Sequence, residues 1–225
     1  MTPADSSGGS GGAAAAGAAV DGGAAADGAP TVEIDGTAQA HAGLAVTIAG
    51  LTDELARRPS LLAGWSVGHV LTHLARNADS VVRRLAGAAE ARVVDQYAGG
   101  KEGRGRDIEE GAGRSAADLV ADVLRTSADV EAALAALPED GWDRLSRSVG
   151  GELIPARAVV SARWREVAVH HVDLGMGYTP RDWPDDLVRL WVPQAEERFL
   201  PTADQRDLLA WLVGRGPAPQ LAPWG

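Results

Sequence analysis

The chain has 225 residues, with 31 acidic against 21 basic side chains, a formal net charge of −10 and no cysteine. This balance excludes the concentrated basic face that a nucleic-acid partner requires, and the absence of cysteine excludes disulfides and a protein thiolate. No run of about 18 apolar residues is present. The N-terminus has no basic leader and carries Asp21 and Asp27, so neither a membrane span nor a secretory signal is expected and the cytoplasm is the predicted compartment.

Residues 1–36 are a Gly/Ala/Ser/Asp tract with almost no large apolar side chains. Such a segment cannot bury enough surface to offset its ordering entropy, so a disordered tail that adds nothing to packing is expected. Helical periodicity begins at Leu44, continues through Ile48, Leu51 and Leu55, and stops at Pro59. Ser66 is the expected N-cap of a second helix with Val67, Val70, Leu71, Leu74, Val81 and Leu85 on its apolar stripe. The glycine-rich stretch Tyr97–Gly113 reads as a mobile loop. Ser115 then caps a third helix bearing Leu119, Val120, Val123, Leu124, Val130 and Leu134, ended by Pro138. A fourth helix is expected from Pro155 to about Leu174. Its valines also suit a strand, but its uninterrupted length exceeds one. Two shorter helices follow, Pro184–Arg198 and Thr202–Val213. The expected architecture is all-α: a four-helix bundle over 37–176 and a short helical appendage over 177–225.

Five histidines occur, at positions 41, 69, 73, 170 and 171. Glu166 precedes His170 by one helical turn, which places the two side chains on one face with Cβ atoms about 5–6 Å apart. A third ligand from the facing helix, His73, completes a two-histidine, one-carboxylate set. That set suits catalytic Zn²⁺ and also Fe²⁺, because it leaves positions open for water or substrate. The competing reading is an ordinary solvated i,i+4 pair, but Val167, Val169 and Val172 argue for burial, where unpartnered Glu and His would be costly. His69 lies near a helix start and is expected to bond the preceding turn, with ligation as the alternative. His171 points about 100° away from His170 and takes a structural role. Asp173 is placed either to orient the His170 imidazole or as a solvated helix-end acid. Trp65, Trp142 and Trp164 are expected in the core. Arg104 and Arg106 read as solvated loop arginines.

The segment L-L-A-G-W-S-V-G-H-V-L-T-H-L-A-R-N-A-D, from Leu61 to Asp79, resembles the mycothiol-dependent maleylpyruvate isomerase family of DinB-like metal-binding bundles. W-R-E-V-A-V-H-H-V-D-L-G, from Trp164 to Gly175, resembles its second signature, and Leu208–Pro219 resembles its C-terminal segment. The resemblance implies a metal, normally zinc, on His73, Glu166 and His170. It also implies mycothiol as the thiol co-substrate and an active-site role for Arg215 of the G-R-G tail. A chain without cysteine fits that role, since the sulfur nucleophile is brought in. The region after Asp182 is shorter than the α/β segment of the family's isomerases, so the metal site is implied more directly than the substrate.

The expected function is thiolate addition, at a zinc or other divalent metal, to an electrophilic small molecule. Expulsion of the thiol after bond rotation gives cis-trans isomerisation of a maleylpyruvate-like substrate; retention gives a mycothiol S-transferase. A non-catalytic zinc-binding helical regulator is the third reading. The open three-ligand set favours an enzyme, a monomer or homodimer whose partners are mycothiol and a small molecule. Arg215 is expected either to cap a helix end or to clamp a carboxylate of the substrate.

Overall fold

A computed structural model describes residues 28–222. They fall into two compact units, the larger ending at Gln194 and the other beginning at Ala195. The helices are α1 (Thr31–Ile48), α2 (Asp53–Arg57), α3 (Val67–Ala89), α4 (Gly100–Ala112), α5 (Ala116–Ala136), α6 (Ala156–Asp173), α7 (Asp185–Phe199) and α8 (Gln205–Leu212). No helix among the described residues is long and apolar enough to cross a membrane.

In the larger unit α3 packs on α5 and α6, while α1 packs on α6 and α5, which makes a four-helix bundle. The expected caps are in place. The Ser66 hydroxyl accepts from the His69 amide, and the Ser115 hydroxyl accepts from the Asp118 amide. A single hairpin joins α5 to α6. Its strands β1 (Leu145–Arg147) and β2 (Leu153–Pro155) pair antiparallel with Ser146 opposite Ile154. Strands of three residues are too short to leave an alternation in the sequence.

Three expectations need correction. The tail does not reach residue 36: residues 1–27 lie outside the described residues, but α1 begins at Thr31. Ile34 packs beside the Leu85–Trp142 cluster, and Gly36 lies so close to Trp164 that a Cβ there would sit 2.3 Å from its ring. The glycine-rich stretch is helix α4, not a mobile loop. Its glycines serve contact: a Cβ on Gly111 would meet the Thr72 side chain at 2.4 Å, and one on Gly68 of α3 would meet the Ala112 carbonyl at 2.3 Å. Finally, the larger unit continues past residue 176. Trp183 donates to the Ala168 carbonyl at 3.2 Å, and Leu187 is buried against Trp164 and Ala168.

The apolar interior is split. One cluster holds Leu44, Ile48, Leu71, Leu74, Leu119, Val123 and Val167; the other holds Val81, Leu85, Val130, Leu134, Trp142, Val159 and Val160. Between these positions each of the four helices carries buried polar residues: Thr37 and His41, Asn77, Thr126 and Ser127, and Arg163. Arg163, 1 % exposed, is the centre of this layer. Its Nη1 donates to the Leu74 carbonyl at 2.9 Å and to Asn77 Oδ1 at 3.0 Å, and its Nε donates to His41 Nε2 at 3.2 Å. His41 therefore carries its proton on Nδ1, which donates to Glu131 Oε1 at 3.0 Å. One guanidinium thus links α1, α3, α5 and α6. A second ionic knot, Asp122 with Arg76, Arg114 and Arg125, binds α5 to α3.

Removing residues 1–36 takes away the first turn of α1 and its contacts with Trp164. Stability should fall by about 1–3 kcal/mol, read as a lower denaturation midpoint; an unchanged midpoint would return the segment to a passive tail. A second expectation concerns acid. Burial, with the Arg163 charge adding to it, lowers His41 from 6.5 to about 3. The folded ring stays neutral where the unfolded one takes up a proton. The network is therefore at full strength above about pH 6.5 and loses stability as pH falls toward about 3, by up to about 1.4 kcal/mol per pH unit. Chemical denaturation of His41→Asn should show a flatter pH dependence across that window, whereas an unchanged slope would place the acid sensitivity elsewhere.

Candidate metal centre

Glu166 and His170 lie one turn apart on α6, and the knot at Arg163 sits three residues before them. With α6 held at that rotation, both side chains meet His73 from α3. His73 Nε2 is 2.7 Å from Glu166 Oε1, and His170 Nε2 is 3.7 Å from the same oxygen. One donor atom from each residue lies within 4.8 Å of the others, and this is the group among the described residues able to hold a metal ion. The two imidazoles meet edge to face with centroids 4.6 Å apart. His73 is 1 % exposed and His170 buried, while Glu166 keeps an accessible edge.

The electrostatics follow from burial and pairing. Burial lowers His73 to about 4, against the opposing pull of its hydrogen bond to Glu166. Burial works against His170 too, but hydrogen bonds to Asp173 and Glu166 override it and carry the ring up to about 9. Burial alone would raise Glu166. The hydrogen bonds from His170 and His73 outweigh it and hold the carboxyl well below its ordinary range. Glu166 is thus an anion poised between the neutral imidazole of His73 and the imidazolium of His170.

Asp173 takes the orienting role: its Oδ2 is 2.8 Å from His170 Nδ1, which leaves Nε2 to face Glu166. A carboxylate behind a histidine in this way fixes the tautomer and raises the basicity of the other nitrogen, an arrangement typical of metal ligands. Neither of the remaining histidines beside these motifs joins the group. His69 Nδ1 accepts from the Ser66 amide at 3.1 Å, completing the cap, and its Nε2 lies 3.5 Å from Glu109. His171 bonds Thr47 at 2.7 Å through Nε2 and stacks on Tyr178 at 3.8 Å.

Two neighbours were not legible as site residues. Trp142 and Trp164 are core side chains as expected, but Trp65 stands edge-on to His73 at 5.6 Å. Arg104, expected in a solvated loop, lies on α4 with its guanidinium 5.9 Å above the Tyr97 ring, and its Nη2 donates to His73 Nδ1 at 3.1 Å. The Nε2 proton of His73 then points at Glu166. Ligation through Nε2 by a neutral imidazole moves that proton to Nδ1, so metal binding and the Arg104 contact exclude each other. The only sequence signal for this position is the pair Gly68 and Gly111, whose missing side chains let α4 sit against α3.

Arg215 belongs to the smaller unit. Its Nη1 donates to the carbonyls of Val213 at 3.4 Å and Gly214 at 3.2 Å, just past the end of α8. This is the arrangement of a cation on a helix C-terminus.

The sequence profile of the mycothiol maleylpyruvate isomerase N-terminal domain family matches residues 37–175, the segment that carries the whole metal-ligand group. The chain belongs to this family. Two solved structures share the fold, the mycothiol-dependent maleylpyruvate isomerase and a histidine-to-alanine mutant of it. Each superposes with a TM-score of 0.69, at 23 % and 22 % identity, over 73 % of this chain and 68 % of theirs. The all-α, DinB-like bundle expected from the family signatures is therefore the fold observed. No curated protein matches the chain. Helices α7 and α8 lie beyond the family match.

Added Zn²⁺ should bind this family member at His73, Glu166 and His170. Asp173→Ala should weaken that binding about 10–100-fold in competition with a chelator while leaving the fold intact. Equal affinity would show that Asp173 merely closes the helix end.

Proposed function

We propose that the chain is a metal-dependent enzyme that works with mycothiol on an electrophilic small molecule, with cis-trans isomerisation of a maleylpyruvate-like substrate as its reaction. The observation that carries this reading is the convergence of two imidazole nitrogens and one carboxylate oxygen within 4.8 Å, on two facing helices of a chain with no cysteine. Structural zinc is usually enclosed by four ligands, several of them cysteine, whereas three nitrogen and oxygen donors leave a position for a reactant. A divalent ion held there supplies Lewis acidity that keeps a bound thiol deprotonated at neutral pH.

The chain's own residues then have separate tasks. Glu166 supplies the negative charge that offsets the ion, and His73 and His170 present Nε2. Asp173 holds His170 in that tautomer. Arg104, released from His73 Nδ1 when Nε2 is engaged, becomes free to meet an anionic group at the rim. The sulfur must come from outside, which fits mycothiol and a reaction in the cytoplasm. For Arg215 we favour a carboxylate clamp in the assembled enzyme over a cap, although its bonds to Val213 and Gly214 are those of a cap. A planar guanidinium suits a carboxylate better than an ammonium does.

Purified protein should carry about one divalent ion per chain, and His73→Ala should lose it together with thiol consumption, since each of three ligands contributes heavily to affinity. Elemental analysis followed by assay with mycothiol and a panel of electrophiles decides both points. Recovery of free thiol marks isomerisation, and a stable thioether marks transfer. Full metal retention by His73→Ala would overturn the site. Arg215→Lys should keep fold and metal yet lose at least about tenfold in turnover, and wild-type kinetics would leave Arg215 as a cap.

A further inference from the structure

The interior of the bundle holds a cation that nothing described so far employs. Arg84 is 3 % exposed, its Nε is buried without a partner, and no hydrogen bond or ion pair among the described residues reaches its guanidinium. The other charged groups around the site all have partners, although Nη2 of Arg163 is itself buried without one. Arg163 is held by Leu74, Asn77 and His41, Arg104 by His73, Glu166 by His73 and His170, and Asp173 by His170.

Its placement puts it on the face of α3 that carries His73, about 16 Å further along the helix axis. Arg84 follows His73 by eleven residues, about 20° past three whole turns of helix. It therefore extends the buried polar stripe His73, Asn77, Ser80, Arg84 along one face of α3. Helical side chains lean toward the N-terminus, which for Arg84 is back toward His73. The charged groups acting on it are Tyr97, which also lies beneath Arg104, and Glu166 of the metal-ligand group. Burial lowers Arg84 only to about 10, so it remains a cation at neutral pH. An arginine Nε buried without an acceptor is unfavourable, and a ligand carrying negative charge would offset that cost.

We propose that Arg84 is an anion-binding residue of the metal pocket, whose guanidinium receives a carboxylate of the small molecule that reacts there. This rests on the reading of the pocket as a small-molecule site, and it restricts the class: the ligand carries a carboxylate on the side away from the reacting carbon. Arg84 is then a specificity-determining residue. It binds the substrate's anionic end and leaves the chemistry to the metal centre.

The test uses full-length, metal-loaded protein and maleate as the probe, titrated by calorimetry. Wild type should bind maleate, and Arg84→Met should bind it at least tenfold more weakly with its metal content unchanged. The ligand-free Arg84→Met protein should also melt at a higher temperature than wild type, because an apolar chain of similar length replaces an unpaired cation. A structural role predicts the opposite sign. Arg84→Met that binds maleate like wild type, melts lower or fails to fold would overturn the proposal, as would wild type that does not bind maleate. Thiol consumption with a neutral α,β-unsaturated ketone tests the enzyme reading separately. Its absence in wild type would sink that reading, while the maleate titration still decides Arg84.

Discussion

The structure depends on one buried guanidinium. Arg163 sits where the apolar interior is interrupted on all four bundle helices at once, and it bonds to α3 directly and to α5 through the His41 imidazole. Apolar packing alone tolerates small rotations of a helix, since hydrophobic contact has no direction. A planar donor that must meet a carbonyl, an amide oxygen and an imidazole tolerates far less. That directionality sets the rotation of α6, and Glu166 and His170 follow from it because they lie three and seven residues further along the same helix. Burying such a cation costs stability relative to a purely apolar layer. The gain is one rotational register for the helix that carries two of the three ligands.

What the sequence revealed depended on how each feature is encoded. Helices α3 and α5 have long apolar stripes and open on Ser caps, and α6 is an uninterrupted run too long for a strand, so their extents were legible. Helix α4 has one large apolar residue, Ile108, among glycines and charges; its stability comes from close approach to α3, which no periodicity records. The start of α1 was hidden for a similar reason. Gly36 closes the tract that reads as a tail, but it is the residue that admits the Trp164 ring. The ligands Glu166 and His170 were visible as a pair one turn apart, and His73 through its motif. Arg104 and Trp65 were not: Arg104 lies 31 residues from its partner His73, and the surroundings of the two look like loop and core.

The charge distribution is also inverted between surface and interior. The chain as a whole is strongly acidic, yet Arg84 and Arg163 are buried on α3 and α6, with Glu166 among the charges acting on both. Cations enclosed within an acidic chain favour the approach of small anions to the interior over binding at the surface.

The depth of the ligands has a kinetic corollary. His73 is almost fully enclosed, with Trp65 against its ring and α4 packed beside it. An ion held on Nε2 of His73 and His170 would be reached through the accessible Glu166 edge, while its His73 side would be freed only as α3, α6 and their covering elements part. Its residence time is then governed by the breathing of the bundle and not by the strength of the three bonds alone. The same helices that position these residues would also act as a slow gate, and a metal ion held there would exchange on the timescale of the bundle's own partial opening.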